Sequence, residues 1–147
     1  MEEISVNIRW RDEPLKVPAE NCLGDNRFLN DDLIRRYAGI EDGAKVLDIG
    51  GGNNPYWYAT HVVDNDADKR PRDSRYINEV GSFERIPYPD KYFDFVITRH
   101  TLEHVDDFSA SLSEMQRVGR RGLIIAPSPI YKYCMGSDCH NYLIYRD

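Results

Sequence analysis

The chain is expected to fold as a doubly wound α/β domain with a mostly parallel sheet. Three observations predict this. Five short strand-like runs recur: "KVLDI" (45–49), "HVVDN" (61–65), "RYINEV" (75–80), "FDFVIT" (93–98) and "GLIIAPS" (122–128). The third is the weakest, and the near-continuous apolar character of the others suits strands covered on both faces. Between the fourth and fifth lies "DDFSASLSEMQRVG", whose Phe108, Leu112, Met115 and Val118 fall on one helical face. A strand–helix–strand unit of this kind crosses over right-handedly between parallel neighbours.

The elements follow in order. "ISVNIRW" alternates strictly, with Ile4, Val6, Ile8 and Trp10 on one side, and reads as a half-buried strand. The turn signal "RDEP" and the run "LKV" make residues 1–20 a hairpin extension of the main domain. "DNRFLNDDLIRRYAG" reads as a helix through Phe28, Leu29, Leu33, Ile34 and Tyr37, with Asn30 or Asp25 as cap and Gly39 as stop. The five strands and the second helix fill residues 45–129. Asp106 or Asp107 caps that helix and Gly119 ends it. After the fifth strand, "NYLIYR" offers at most one further strand, so the sheet is expected to stop short at its C-terminal edge.

A length of 147 residues predicts one domain, 1–147, large enough to bury a real core. The net charge of −6 argues against a bulk electrostatic grip on nucleic acid. The basic residues Lys69, Arg70, Arg72 and Arg75 are interleaved with Asp66, Asp68 and Asp73 and read as a solvated loop. No run of about 18 apolar residues is present to span a membrane. The acidic N-terminus lacks a signal-peptide core, and Cys22, Cys134 and Cys139 are an odd count at no framework spacing. These features predict free thiols and a cytoplasmic location.

The chemistry concentrates at strand ends. Gly50, Gly51 and Gly52 follow the first apolar strand, where consecutive glycines let the backbone bend and a ligand approach. Open α/β sheets bind ligands beyond the carboxyl ends of their strands. The dinucleotide pattern GxGxxG is not met, because Asn53, Asn54 and Pro55 occupy its second half. The second strand ends at Asp64, whose carboxylate can accept both hydroxyls of a ribose. An ordinary polar turn, "DNDAD", explains Asp64 equally well at this point.

The segment from Phe83 to Ser128 adds a family resemblance. Ile86, Pro87, Tyr88, Pro89 and Asp90 precede Phe93 and Asp94; Leu102, Glu103, His104 and Val105 follow; Arg117, Val118, Gly122, Leu123 and Ile124 complete the order. This succession, with "VLDIGGG" and "HVVDN" upstream, resembles the class I S-adenosylmethionine-dependent methyltransferases from about Lys45 to Pro129. The resemblance implies a Rossmann-like sheet, S-adenosyl-L-methionine as cofactor, S-adenosyl-L-homocysteine as product and a small-molecule acceptor. It implies that Asp48, Gly50, Gly51, Gly52, Asp64, Asn65, Ser82, Phe83 and Thr98 surround the cofactor. Thr98, Arg99 and His100 would lie near the methyl group, with His100 as candidate base and His104 in a structural hydrogen bond.

The chain departs from that pattern in three places. Only "NNPYWYAT" stands where the family carries a helix, and Pro55 resists continuing one. Ser82 stands where an acid is usual, and few residues follow the fifth strand. These departures keep open a non-catalytic binding module on the same fold, and a homo-oligomer or partner chain that completes the sheet edge. Tyr56, Trp57, Tyr58, Tyr131 and Tyr133 could wall a substrate pocket or cover an exposed edge. A remote alternative is that "HTLEH" is an H-x-x-E-H zinc peptidase motif, with His100 and His104 as ligands, Glu103 as base and Glu114 as a conceivable third ligand. "CMGSDCH" holds Cys134, Cys139 and His140 at an irregular spacing and reads as incidental, and His61 reads as a polar strand end.

Overall fold

In the computed structural model the described residues are 31–126. The expected N-terminal hairpin, the start of the first helix, "CMGSDCH" and "NYLIYR" lie outside them. The elements are α1 (Asp31–Ala38), β1 (Val46–Ile49), β2 (His61–Asp64), β3 (Ile77–Val80), β4 (Phe95–Arg99), a 3-10 turn (Leu102–His104), α2 (Phe108–Val118) and β5 (Gly122–Ile125). All five strands are parallel and lie in the order β3-β2-β1-β4-β5. The chain therefore winds one way from β1 to β3, then returns to the other side of β1 for β4 and β5. That is the doubly wound arrangement.

Side chains alternate across the strands, as a pleat requires. Leu47, Ile49, Val63 and Val96 pack with Phe108, Met115 and Val118 of α2 on one face. Val46, Val62, Phe95 and Ile97 pack with Ile34 and Ala38 of α1 and with Tyr56 on the other. Helix α2 begins where Asp107, in extended backbone, accepts a hydrogen bond from the Ala110 N–H at 2.9 Å. It ends at Gly119, whose N–H donates to Met115 O at 3.1 Å. A side chain at Gly119 would run into Val96 Cγ2 at 2.5 Å, so only glycine lets the helix end tuck against β4.

The segment from Ile86 to Asp90 is fastened to α2 by one side chain. Arg117 donates to Ile86 O at 2.9 Å, Tyr88 O at 2.8 Å, Asp90 at 2.9 Å and Glu114 at 2.7 and 2.8 Å. Glu114 also accepts from Ile86 N–H at 2.8 Å. The hydrogen bonds to Glu114 and Asp90 hold the Arg117 pKa above its ordinary value, and the pairing with Arg117 holds that of Glu114 below its own. The run into β4 and the arginine of α2 thus form one structural unit.

His61 is not a simple polar strand end. It is buried, its Nδ1 lies 2.8 Å from Thr60 Oγ1, and its ring meets Tyr88, Tyr92 and Phe93 edge-on at 5.4, 5.9 and 5.1 Å. Burial, and then the charge of Lys45, push its pKa down. The sequence could not bring those three rings to His61, because they come from the connection between β3 and β4, much further along the chain.

Candidate active site

The strand order reverses between β1 and β4, and doubly wound sheets bind ligands beyond the carboxyl ends of the strands at such a point. Gly50, Asp64 and Thr98 stand at the ends of β1, β2 and β4 around this point. Gly50 takes φ +74° and its N–H donates to Val63 O at 2.8 Å. A Cβ there would meet Thr101 Oγ1 at 2.3 Å, so Gly50 exists to let the β4 loop close on the turn. A Cβ on Gly51 would meet the Asp48 carboxylate at 2.8 Å. Gly52 differs: it needs its glycine for φ +53°, and the space beside it is open to 3.7 Å.

Asp64 ties the turn to the second strand. Its Oδ2 accepts the Gly52 N–H at 3.1 Å and its Oδ1 accepts the Asp66 N–H at 3.0 Å. Each oxygen keeps a second lone pair for a further donor. Asn65 beside it is exposed. Ser82 is exposed and accepts the Glu84 N–H at 3.1 Å, whereas the Phe83 side chain is buried with Ile49 and Val63. Thr98 is buried, and its hydroxyl oxygen has no hydrogen-bond partner.

No helix separates β1 from β2. Residues 50–60 form a loop held by side chains of other elements. The buried Asp48 accepts the Tyr56 N–H through Oδ2 at 2.6 Å, and Asp31 at the head of α1 accepts the Trp57 N–H at 2.6 Å. Arg99 at the end of β4 closes the network. It donates to Asp31 at 3.1 Å and to Asn54 O at 3.3 Å, and pairs with Asp48 at 3.6 Å. Burial pushes the Asp48 pKa up to about 6, against the attraction of Arg99. Asp48 therefore serves the loop, beneath the turn.

The tyrosines of the loop divide between roles. Tyr56 is fully buried, with its hydroxyl donating to Asp31 O at 3.2 Å, and Tyr58 donates to Asp32. Trp57 is 58% exposed and stacks under Arg75, whose guanidinium carbon is 3.5 Å from the ring centre. Tyr56 and Tyr58 fasten the loop to α1; Tyr131 and Tyr133 lie outside the described residues.

The zinc-peptidase alternative fails on backbone geometry. It needs one helix through both histidines, but β4 runs to Arg99, His100 takes φ +52° and only a 3-10 turn follows. Glu114 is occupied by Arg117. Among the described residues, no group of three His, Cys, Asp or Glu could hold a metal ion.

Sequence reasoning missed Arg99 as a clamp and Asp31 as its partner. Both sit where a signal existed, a cation at a strand end and an acid in a first helical turn, but the residues pair across 68 positions. The sequence shows Glu103 only within the motif and as base of the zinc alternative; its burial was not foreseen, because it depends on α2 packing beside it.

Comparison with known proteins decides the family. The methyltransferase domain matches residues 47–126, more than half of the chain. The chain belongs to the methyltransferase-domain family. It is 30% identical to the ubiquinone/menaquinone biosynthesis C-methyltransferase UbiE of Cupriavidus taiwanensis, over 65% of this chain and 48% of that one. It is 38% identical to a demethylmenaquinone methyltransferase of a Roseiflexus species, over 37% of this chain and 23% of that one. The chain thus spans about half or less of the length of these relatives. Among solved structures, the YcgJ protein of Bacillus subtilis superposes with a TM-score of 0.63 at 20% identity, over 78% of this chain and 61% of that one. A SAM-dependent methyltransferase from Archaeoglobus fulgidus gives 0.58 at 23% identity, over 83% and 64%. These superpositions bear out the expected Rossmann-like sheet. The family implies S-adenosylmethionine as cofactor, and the donor set at Gly52 and Asp64 fits it: an open glycine turn beside a carboxylate with lone pairs to spare.

Proposed function

We propose that this chain transfers a methyl group from S-adenosyl-L-methionine to a small-molecule acceptor, releasing S-adenosyl-L-homocysteine, in the cytoplasm and as a single domain over residues 1–147. The observation that carries this is the Gly52–Asp64 link at the reversal of a parallel sheet. The free lone pairs of Asp64 accept the two ribose hydroxyls. Gly50, Gly51 and Gly52 carry the turn along the amino-acid end of the cofactor. Asp48 acts from beneath, by holding the loop through the Tyr56 N–H. Asn65 and Ser82 flank the adenine, with Phe83 offering backbone there because its ring belongs to the core. Thr98 closes the floor.

The cofactor supplies an activated methyl group on a sulfonium. The chain's own task is alignment and exclusion of water. His100, 38% exposed at the end of β4, is the group in reach to accept a proton from the acceptor. The relatives named as C-methyltransferases act on quinone precursors by their names, which favours a small cyclic acceptor here too. No described helix is long and apolar enough to cross a membrane. A second copy or a partner chain completing the sheet edge belongs to the same reading; β3, at one edge, exposes all four residues.

Calorimetric titration with S-adenosylmethionine and S-adenosylhomocysteine tests the proposal. Wild type binds with Kd in the micromolar range, about −8 kcal/mol, and Asp64→Ala binds at least about tenfold more weakly. Absence of heat with either ligand up to about a millimolar overturns it.

A further inference from the structure

The loop after β4 holds a feature that methyl transfer does not by itself require. Glu103 is buried, at 2% exposure, and neither carboxyl oxygen has a hydrogen-bond partner. An unpaired buried carboxylate is expensive and persists only where something repays it. Its Oε1 lies 3.7 Å from His100 Nδ1 and 3.8 Å from His104 Nε2. Both imidazoles reach the surface, at 38% and 40% exposure. One buried acid therefore stands behind two solvent-edge histidines.

The backbone enforces this arrangement at a cost. His100 takes the left-handed φ of +52°, which is uncommon outside glycine and marks strain kept for a reason. Its N–H is pinned to Ile125 O at 2.8 Å, and His104 N–H to Thr101 O at 2.9 Å. The turn thus folds back so that residues 100, 103 and 104 converge. Around the 3-10 turn, the core contributes Leu102, Val105, Phe108 and Met115, none of which titrates. Among the described residues, His100 and His104 are the ionisable groups within ion-pair distance of the Glu103 carboxyl.

We infer that Glu103 is a positioning residue that holds the His100 ring with its proton on Nδ1, leaving Nε2 to accept the proton from the methyl acceptor. This rests on the reading of His100 as the base. The proton leaves the acceptor for Nε2, and the Nδ1–H of the resulting imidazolium faces the carboxylate, which offsets its charge. His100, itself at the solvent edge, then releases the proton from Nε2 to water and keeps the Nδ1–H for the next turnover. At 3.7 Å the pair is at ion-pair distance, and such catalytic contacts commonly tighten in the ligand complex. Burial pushes the Glu103 pKa up, against its own backbone N–H and then His104.

The test is a side-chain 15N NMR titration of full-length wild type and Glu103→Gln, with His100→Asn and His104→Asn assigning the signals. In wild type the His100 ring shows the Nδ1–H tautomer, opposite to the preference of free histidine. In Glu103→Gln the Nε2–H form dominates, and His100 loses about tenfold in proton affinity, the lower end of what one neighbouring charge does. An unchanged His100 tautomer and midpoint in folded Glu103→Gln overturns the inference. Should Glu103→Gln fail to fold, the Glu103 13Cδ titration in His100→Asn replaces it. A rise in its midpoint in His100→Asn supports the inference, and no change in that variant overturns it. None of these readouts needs cofactor. A failed S-adenosylmethionine titration with an intact Nδ1–H tautomer removes the methyltransferase reading alone.

Discussion

The two connections that leave the centre of the sheet solve one problem differently. From β4 the chain reaches β5 through α2, which buries an apolar face, ties itself to residues 86–90 through Arg117 and Glu114, and has the carbonyls of its last turn met by Lys91 and Phe93. From β1 the chain reaches β2 through a loop with no helix, and other elements must supply its partners: Asp48 from β1, Asp31 from α1, Arg99 from β4 and Asp64 from β2. The helix supplies its own interior hydrogen bonds, whereas the loop, around a buried Tyr56, borrows its acceptors from carboxylates of other elements. The candidate cofactor turn sits on the loop side, so binding and electrostatics are coupled there and separate on the other.

Truncation of the helical side is expected to cost most in stability. Met115→Ala empties a fully buried position and should lose about 2–5 kcal/mol in urea unfolding. Its affinity for S-adenosylhomocysteine, measured below the melting range, should stay within about threefold of wild type, because the loss is about packing and not the turn. A large loss of affinity would show that the two connections are not independent.

Removal of a loop carboxylate should do the reverse. Asp48→Ala leaves the Tyr56 N–H without its acceptor and removes one partner of Arg99, for about 1–3 kcal/mol of stability. Affinity should fall at least about tenfold, the equivalent of 1.4 kcal/mol. Calorimetry beside urea melts separates the two effects. Equal losses in Met115→Ala and Asp48→Ala on both measures would dissolve the contrast.

The pH dependence of stability sharpens the contrast further. Asp48 on the loop side has its pKa raised from 3.8 to about 6. The stability it contributes is present below 3.8 and is lost as pH rises through about 6, by about 3 kcal/mol in all. His61, among the rings of the α2 face, has its pKa lowered from 6.5, so its contribution is present above 6.5 and is lost as pH falls. The two oppose one another in mildly acidic solution. Asp48→Asn should leave a protein whose stability falls more steeply with acid than wild type, and His61→Gln one that falls less. Thermal melts from pH 4 to 7 would show this, and parallel curves for all three proteins would refute it.

The smallest expected effect lies at the head of α2. Asp107→Ala removes the cap on the Ala110 N–H and should cost about 1 kcal/mol, without change in cofactor affinity. Chemical denaturation resolves that loss, and an altered affinity would tie the helix end to the site.

The local rules read well where each element carries its own reason. The short apolar runs gave β1, β2 and β4 within two residues and the start of β5, which ends at Ile125, and Asp107 and Gly119 bound α2 as expected. The weak third run became β3, fully exposed at the sheet edge. Ser111 shares the buried face of α2 and Leu112 is only partly buried, because the helix lies slightly rotated on the sheet relative to its apolar spacing. The role of His61 and the work of Tyr56 and Tyr58 were not legible, since each is set by residues distant in sequence.

The sequence by itself determined that a glycine turn follows one buried strand, that an acid ends the next, and that no helix fits between them. Those features are local, written in the backbone freedom of Gly52 and the ring of Pro55 and in strand-length apolar runs. Only the tertiary structure decided what replaces the missing helix and which acids remain available. Parallel pairing sets Asp48 and Arg99 on neighbouring strands, and α1 brings Asp31 to them. The neighbourhood then separates two buried carboxylates of like chemistry. Asp48 holds the Tyr56 N–H and pairs with Arg99, while Asp64 accepts the Gly52 and Asp66 N–H groups at the glycine turn. Charge and solvation are properties of the folded neighbourhood, and no residue carries them alone.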